Sequence, residues 1–104
     1  MARPFYAEYV NHMMRFYATK VINAPTKTQQ FKSDADKKNW TACETVMQHF
    51  EERERDILLT VYSQADTLAD NIYQLANELH IDQKEIWTLV TDMTRRIAKA
   101  RTLI

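Results

Sequence analysis

From Phe5 onward, apolar residues return every three or four positions, at Phe5, Tyr9, His12, Met13 and Phe16, which is the spacing of one face of an α-helix. This pattern predicts a first helix over Pro4–Lys20, with Pro4 in the first turn, where its missing N–H is no loss. Tyr6, Val10, Met14 and Tyr17 form a second stripe beside the first. The apolar arc is therefore wider than one packing contact requires. Either the rest of the chain wraps this helix, or the helix offers a surface to a second copy.

The stretch Val21–Lys32 is polar and interrupted by Pro25, so it reads as a connection, with Phe31 able to pin it to the core. Ser33 followed by Asp36 has the form of an N-terminal cap, and Trp40, Cys43, Met47 and Phe50 keep one face of a second helix apolar to about His49. The acidic front of EERERD suits the positive end of a helix dipole. Ile57, Leu58, Val61 and Tyr62 then supply the buried stripe of a short third helix. Thr67 with Asp70 introduces a fourth helix carrying Leu68, Ile72, Leu75, Ala76 and Leu79. Asp82 with Glu85 introduces a fifth, whose Ile86, Leu89, Val90, Met93 and Ile97 run into the tail.

Composition agrees with an all-α chain of about five helices. There is no Gly among the 104 residues and there are two Pro, so tight hairpin turns have little to be built from. Loops that cradle phosphate closely need residues without a Cβ, which argues against nucleotide-binding enzymes of those kinds. The length fits one domain, residues 1–104, in which 1–49 would support a unit formed by 50–104. The single Cys43 allows no internal disulfide, and the start MARPFYAEYV has neither the charge pattern nor the apolar run of a signal peptide or membrane span. A cytoplasmic address with no membrane partner is expected. Formal charge is zero but uneven: acids dominate Glu51–Asp92, while Arg95, Arg96, Lys99 and Arg101 make the tail basic. Any footing on nucleic acid must come from that tail and from Lys27, Lys32, Lys37 and Lys38.

The break between the fourth and fifth helices is very short, LHID at Leu79–Asp82, and two capped helices joined in this way predict a helix-turn-helix. Within Ile72–Thr91, Leu75, Ala76, Leu79, Ile81, Ile86 and Leu89 follow its pattern of a small residue in the first helix, apolar residues beside the turn and two anchors in the second. With the acid- and arginine-rich helix that precedes it, the run from Phe50 to Arg101 resembles region four of bacterial RNA polymerase sigma factors and related bacterial and phage regulators. His80 stands where that family favours Gly. The resemblance implies a DNA-binding transcriptional regulator whose recognition helix spans residues 83–96, with Gln83, Lys84, Trp87, Thr88 and Thr91 facing outward and Arg95, Arg96 and Lys99 near phosphates. Against this stand Asp82, Glu85 and Asp92, whose charge a phosphate backbone repels.

A bundle corner in an interaction module that binds a polymerase subunit or another protein would need the same apolar residues. Trp87 tests whether this corner offers a surface at all: buried, it is core; exposed, it is an expected anchor for a base, a sugar or a protein partner. A homodimer through the Phe5–Tyr17 helix would add the area that one short DNA-binding module lacks. No enzyme and no cofactor is expected. His12, His49 and His80 fall in separate segments, Cys43 and His49 point to different sides of one helix, and the acid pairs Asp34/Asp36, Asp66/Asp70 and Glu51/Glu52 sit where helix starts carry acids.

Overall fold

The computed structural model describes residues 5–23 and 31–104, and among them it contains five helices and no strand. They are α1 (Ala7–Asn23), α2 (Asp34–Met47), α3 (Glu52–Ser63), α4 (Leu68–Leu79) and α5 (Gln83–Ala100). Pro4 and Lys27 lie outside the described residues. The first helix runs three residues past the expected Lys20, because Val21 packs against the core and draws that turn into the helix.

Polar side chains set where the helices begin. Ser33 Oγ accepts from the Asp36 N–H at 3.2 Å, and Thr67 Oγ1 accepts from the Asp70 N–H at 3.2 Å. Glu54 reaches back to accept the Glu51 N–H at 3.0 Å, so the acidic front of α3 is a cap as well as a dipole partner. At α5 the expected side-chain pairing shifts by one residue: Asp82 Oδ1 accepts from the Lys84 N–H at 2.9 Å, and the Glu85 N–H donates instead to the Asp82 backbone carbonyl at 3.1 Å. An aspartate side chain is short, and with Asp82 at φ −74°, ψ 137° it meets the second helical N–H first.

Helix α5 is packed by each of the other four, and α1 makes its broadest contact with α3. One buried cluster draws on all five helices, with Val10, Met14, Leu58, Tyr62, Ile72, Ile86, Met93 and Ile97 at its centre. The second stripe of α1 turns inward, Val10, Met14 and Tyr17 being buried, whereas Phe5, Tyr9 and Phe16 stay exposed. Leu79, expected on the apolar face of α4, is 42% exposed, because the chain turns away immediately after it.

Polar ties hold the connections. Asn71 is buried, and its Nδ2 lies within hydrogen-bond distance of the carbonyls of Val61 (2.8 Å), Gln64 (3.3 Å) and Asp66 (3.2 Å). From outside, Arg15 donates to the same Gln64 and Asp66 carbonyls at 3.1 and 2.7 Å. The end of α3 and the link to α4 are thus clamped from both sides. Asn39 plays a similar part on α2, donating to the Tyr9 hydroxyl at 3.2 Å and accepting from Arg101 Nε at 2.7 Å.

In a chain without glycine, both left-handed backbone positions among the described residues carry side chains. His80 (φ 57°) and Thr102 (φ 56°) close α4 and α5. The Ile81 N–H returns to the Ala76 carbonyl at 3.0 Å, and the Leu103 N–H to that of Ala98 at 2.8 Å. These are the bonds of a Schellman ending, which usually has glycine at the left-handed residue. The steric cost there is roughly 1–2 kcal/mol for a residue with a Cβ.

Two outcomes follow for urea denaturation. His80→Gly and Thr102→Gly should each raise stability by about 1 kcal/mol, while His80→Val should lower it, since a branched residue tolerates this backbone least. Asn71→Ala should cost about 2 kcal/mol by stripping the buried Val61 carbonyl of its side-chain donor, and Asn71→Asp should cost more, because a carboxylate lacks the donor as Ala does and also sets an unpaired buried charge against the carbonyls.

Candidate nucleic-acid interface

The turn at His80 and the cap at Asp82 leave three residues, 80–82, between α4 and α5. Ile81 packs against the core and fixes where α5 starts. Of the first turn of α5, Gln83, Lys84 and Glu85 are exposed and Ile86 is fully buried. Ile86, Val90, Met93 and Ile97 then hold one side of α5 in the core, so the opposite side must face outward.

All eight residues expected at the interface, Gln83, Lys84, Trp87, Thr88, Thr91, Arg95, Arg96 and Lys99, are exposed. They do not form one surface. Lys84, Thr88, Thr91, Arg95 and Lys99 follow four- and three-residue steps, a single stripe along the outer side of α5. At 1.5 Å per residue the stripe is about 22 Å long, with cations toward both ends and two hydroxyls between them. Trp87 lies beside it and is 36% exposed, so it is a surface residue. Lys84, Trp87, Thr88, Thr91, Asp92 and Arg95 line a shallow groove of 470 Å³.

Arg96 departs from this set. Its guanidinium sits over the Phe50 ring, 5.7 Å from the centroid, and its Nε donates to Asp92 Oδ1 at 3.1 Å. Arg95 also approaches Asp92, at 3.9 Å. The acid that burdens this face is therefore bracketed by two arginines from the same helix. These pairs are exposed and contribute little to stability. Their effect is on local charge. Gln83 precedes Ile86 and Val90 by three and seven residues, so it lies over their side of the helix and is exposed in the first turn, apart from the stripe.

Lys37 and Lys38 do not extend the stripe either. They line a separate groove of 550 Å³ with Asp34, Thr41, Ala100 and Arg101, among others, and helical spacing puts Ala100 on the far side of α5 from Thr91 and Arg95. Lys32 is exposed on the segment before α2.

Two further cavities were not apparent in the sequence. One lies between α3 and α4, 410 Å³, with Ile57, Thr60, Leu75 and Leu79 as its floor and Glu52, Arg53 and Asp56 at its rim. Leu79 was its one signal in the sequence, an apolar residue at the last turn of a helix. The other lies between α1 and α2 and is lined largely by aromatic rings. Compared with known protein families, curated proteins and solved structures, the chain matches none.

Two interior groups, Cys43 and Tyr17, are held toward their neutral forms by burial. Burial pushes the Cys43 thiol up to about 12 from its ordinary 9.0. Tyr17 is pushed up to about 12 by burial first and by the nearby Glu44 second. A thiol so placed is a poor nucleophile, since the thiolate is the reactive form. Among the described residues, no three His, Cys, Asp or Glu side chains gather as a metal ion requires. No helix there is long and apolar enough to cross a membrane.

For both Cys43 and Tyr17 the unfolded chain gives up its proton before the folded one does. Stability is therefore complete below about pH 9 and should fall as pH rises from about 9 toward 12, by up to about 1.4 kcal/mol per pH unit for each group. Urea midpoints measured across that range should fall less steeply for Cys43→Ala than for the parent protein. Below pH 9, alkylation of Cys43 should proceed only as fast as the protein opens.

Proposed function

We propose that the chain is a small DNA-binding regulator of transcription that presents the outer stripe of α5 to the major groove. The observation that carries this reading is the stripe itself: Lys84, Thr88, Thr91, Arg95 and Lys99 in one line, all exposed, with the Trp87 ring beside them. Lysine and arginine neutralise phosphates, and threonine hydroxyls and methyls can meet base edges. The resemblance of Phe50–Arg101 to sigma region four supports the same orientation, with α4 and α5 as the two helices of a helix-turn-helix and residues 83–96 as the reading segment. Asp92 would keep non-specific attraction low, leaving affinity to depend on fit. Within this reading the protein is a cytoplasmic binding protein of bacterial or phage type, with neither catalysis nor a cofactor. Phe5, Tyr9 and Phe16 would be available for pairing two copies, whereas Met13 and Tyr17 are committed to the core.

The second reading is a protein-interaction module, and the α3–α4 cleft favours it. Its apolar floor and the acids Glu52 and Asp56 at its rim suit an amphipathic helix bearing basic residues, such as a segment of a polymerase or regulator.

Fluorescence anisotropy with labelled duplex DNA separates the two. Binding at low salt should weaken when Lys84 or Arg95 is replaced by Ala, and the slope of log affinity against log salt should shrink by about one for each contact removed. Thr88→Val should alter preference among sequences more than overall affinity. All three positions are exposed, so folding stability should hardly change. DNA binding indifferent to these substitutions, or no binding at low salt, would dismiss the α5 stripe and favour the α3–α4 cleft.

A further inference from the structure

The cavity between α1 and α2 has a composition unlike the rest of the surface. Four aromatic side chains line it, Tyr9, Phe16, Tyr17 and Trp40, together with the His12 imidazole, Met13, Asn39 and the carboxylate of Asp36, and no lysine or arginine is among its lining residues. Trp40 is the hub of the cluster, with the rings of Tyr17, Phe31 and Phe16 at 4.7, 6.0 and 6.3 Å from its own. Asn39 holds one wall in place through the Tyr9 hydroxyl and Arg101. Tyr9 and Phe16 remain 42% and 48% exposed, so the rings at the mouth are not covered by the chain's described residues.

Aromatic faces carry negative potential, and they attract cations most strongly where water is excluded. Phe16 already does so within the chain, with Lys20 Nζ 5.7 Å from its ring centroid. A carboxylate at the same cavity adds to that preference. Which cation fits follows from hydrogen bonding and size. A primary ammonium or a guanidinium needs several acceptors, and here the Tyr9 hydroxyl and Asn39 are already bonded to each other and to Arg101, which leaves the Asp36 carboxylate and the His12 ring. An alkylated ammonium needs none and gains from burying its methyl groups. The volume of 240 Å³ lies below the roughly 300 Å³ at which sites for larger organic ligands begin, which restricts the occupant to a head group of this kind.

We infer that the α1–α2 cavity is a binding site for a small free organic cation with a quaternary ammonium head, held by the rings of Tyr9, Phe16, Tyr17 and Trp40 and by the Asp36 carboxylate. The site is built from helices other than α5, so DNA contact by the α5 stripe neither requires nor excludes it, whereas pairing of two copies through Tyr9 and Phe16 would cover its mouth.

The test uses the Trp87→Phe protein, in which Trp40 is the sole tryptophan and reports on the cavity. Titration with tetramethylammonium and with choline should give a saturable change in Trp40 fluorescence. The neutral tert-butyl isostere of choline should bind at least tenfold more weakly. Asp36→Asn should weaken choline binding several-fold, and Phe16→Leu, which keeps the site apolar but removes a ring, should do the same with the thermal unfolding midpoint little changed. Equal binding of the neutral isostere would overturn the inference, as would the absence of any saturable response to either cation. So would capture of phosphatidylcholine vesicles without a response to free choline, since that would assign the surface to a lipid head group.

Discussion

The burial of one side of α5 is the constraint on which the rest of the molecule depends. Buried on the side that carries Ile86, Val90, Met93 and Ile97, α5 packs against the four other helices, so this single amphipathic helix is both the keystone of the core and the bearer of the exposed polar stripe. With the buried side committed, α5 cannot rotate without breaking the core. Lys84, Thr88, Thr91, Arg95 and Lys99 therefore keep their outward direction through the packing of residues they do not touch. A surface held in this way loses little conformational freedom on meeting a partner, which suits recognition by a rigid helix.

The turn into α5 is made under a handicap. Without glycine, the chain uses His80 in a left-handed conformation, and the bond from the Ile81 N–H to the Ala76 carbonyl holds it there. Ile81 then packs against the core, so apolar burial offsets the strain of the turn. Asn71 and Arg15 perform the equivalent task one connection earlier, gripping the Gln64 and Asp66 carbonyls from opposite sides. Together these contacts fix α4 between α3 and α5, and the α3–α4 cleft with its exposed Leu79 follows from that placement.

Much of the outline was legible before any coordinates. Helical periodicity at Phe5–Phe16, Trp40–Phe50, Ile57–Tyr62, Leu68–Leu79 and Ile86–Ile97, with Ser33, Thr67 and Asp82 as starts, marks five helices whose limits differ from the structure by a few residues. The differences have local causes: Val21 is recruited by the core, and the short Asp82 side chain reaches Lys84 in place of Glu85. The outward direction of the α5 residues was also legible, because a helix with a clear apolar stripe has only one side left for water.

The amino-acid order by itself determined an all-α chain, the positions of its helices and the residues that α5 turns outward, because periodicity and capping act over a few neighbouring residues. Tertiary packing alone decided that the Arg96 guanidinium lies over the Phe50 ring, that Lys37 and Lys38 fall on another side of α5, and that Tyr9, Phe16, Tyr17 and Trp40 surround one cavity. The physical reason is that each of these outcomes depends on which helices cross and where. Such crossings are set by the fit of side chains far apart in the chain, and no local pattern encodes them.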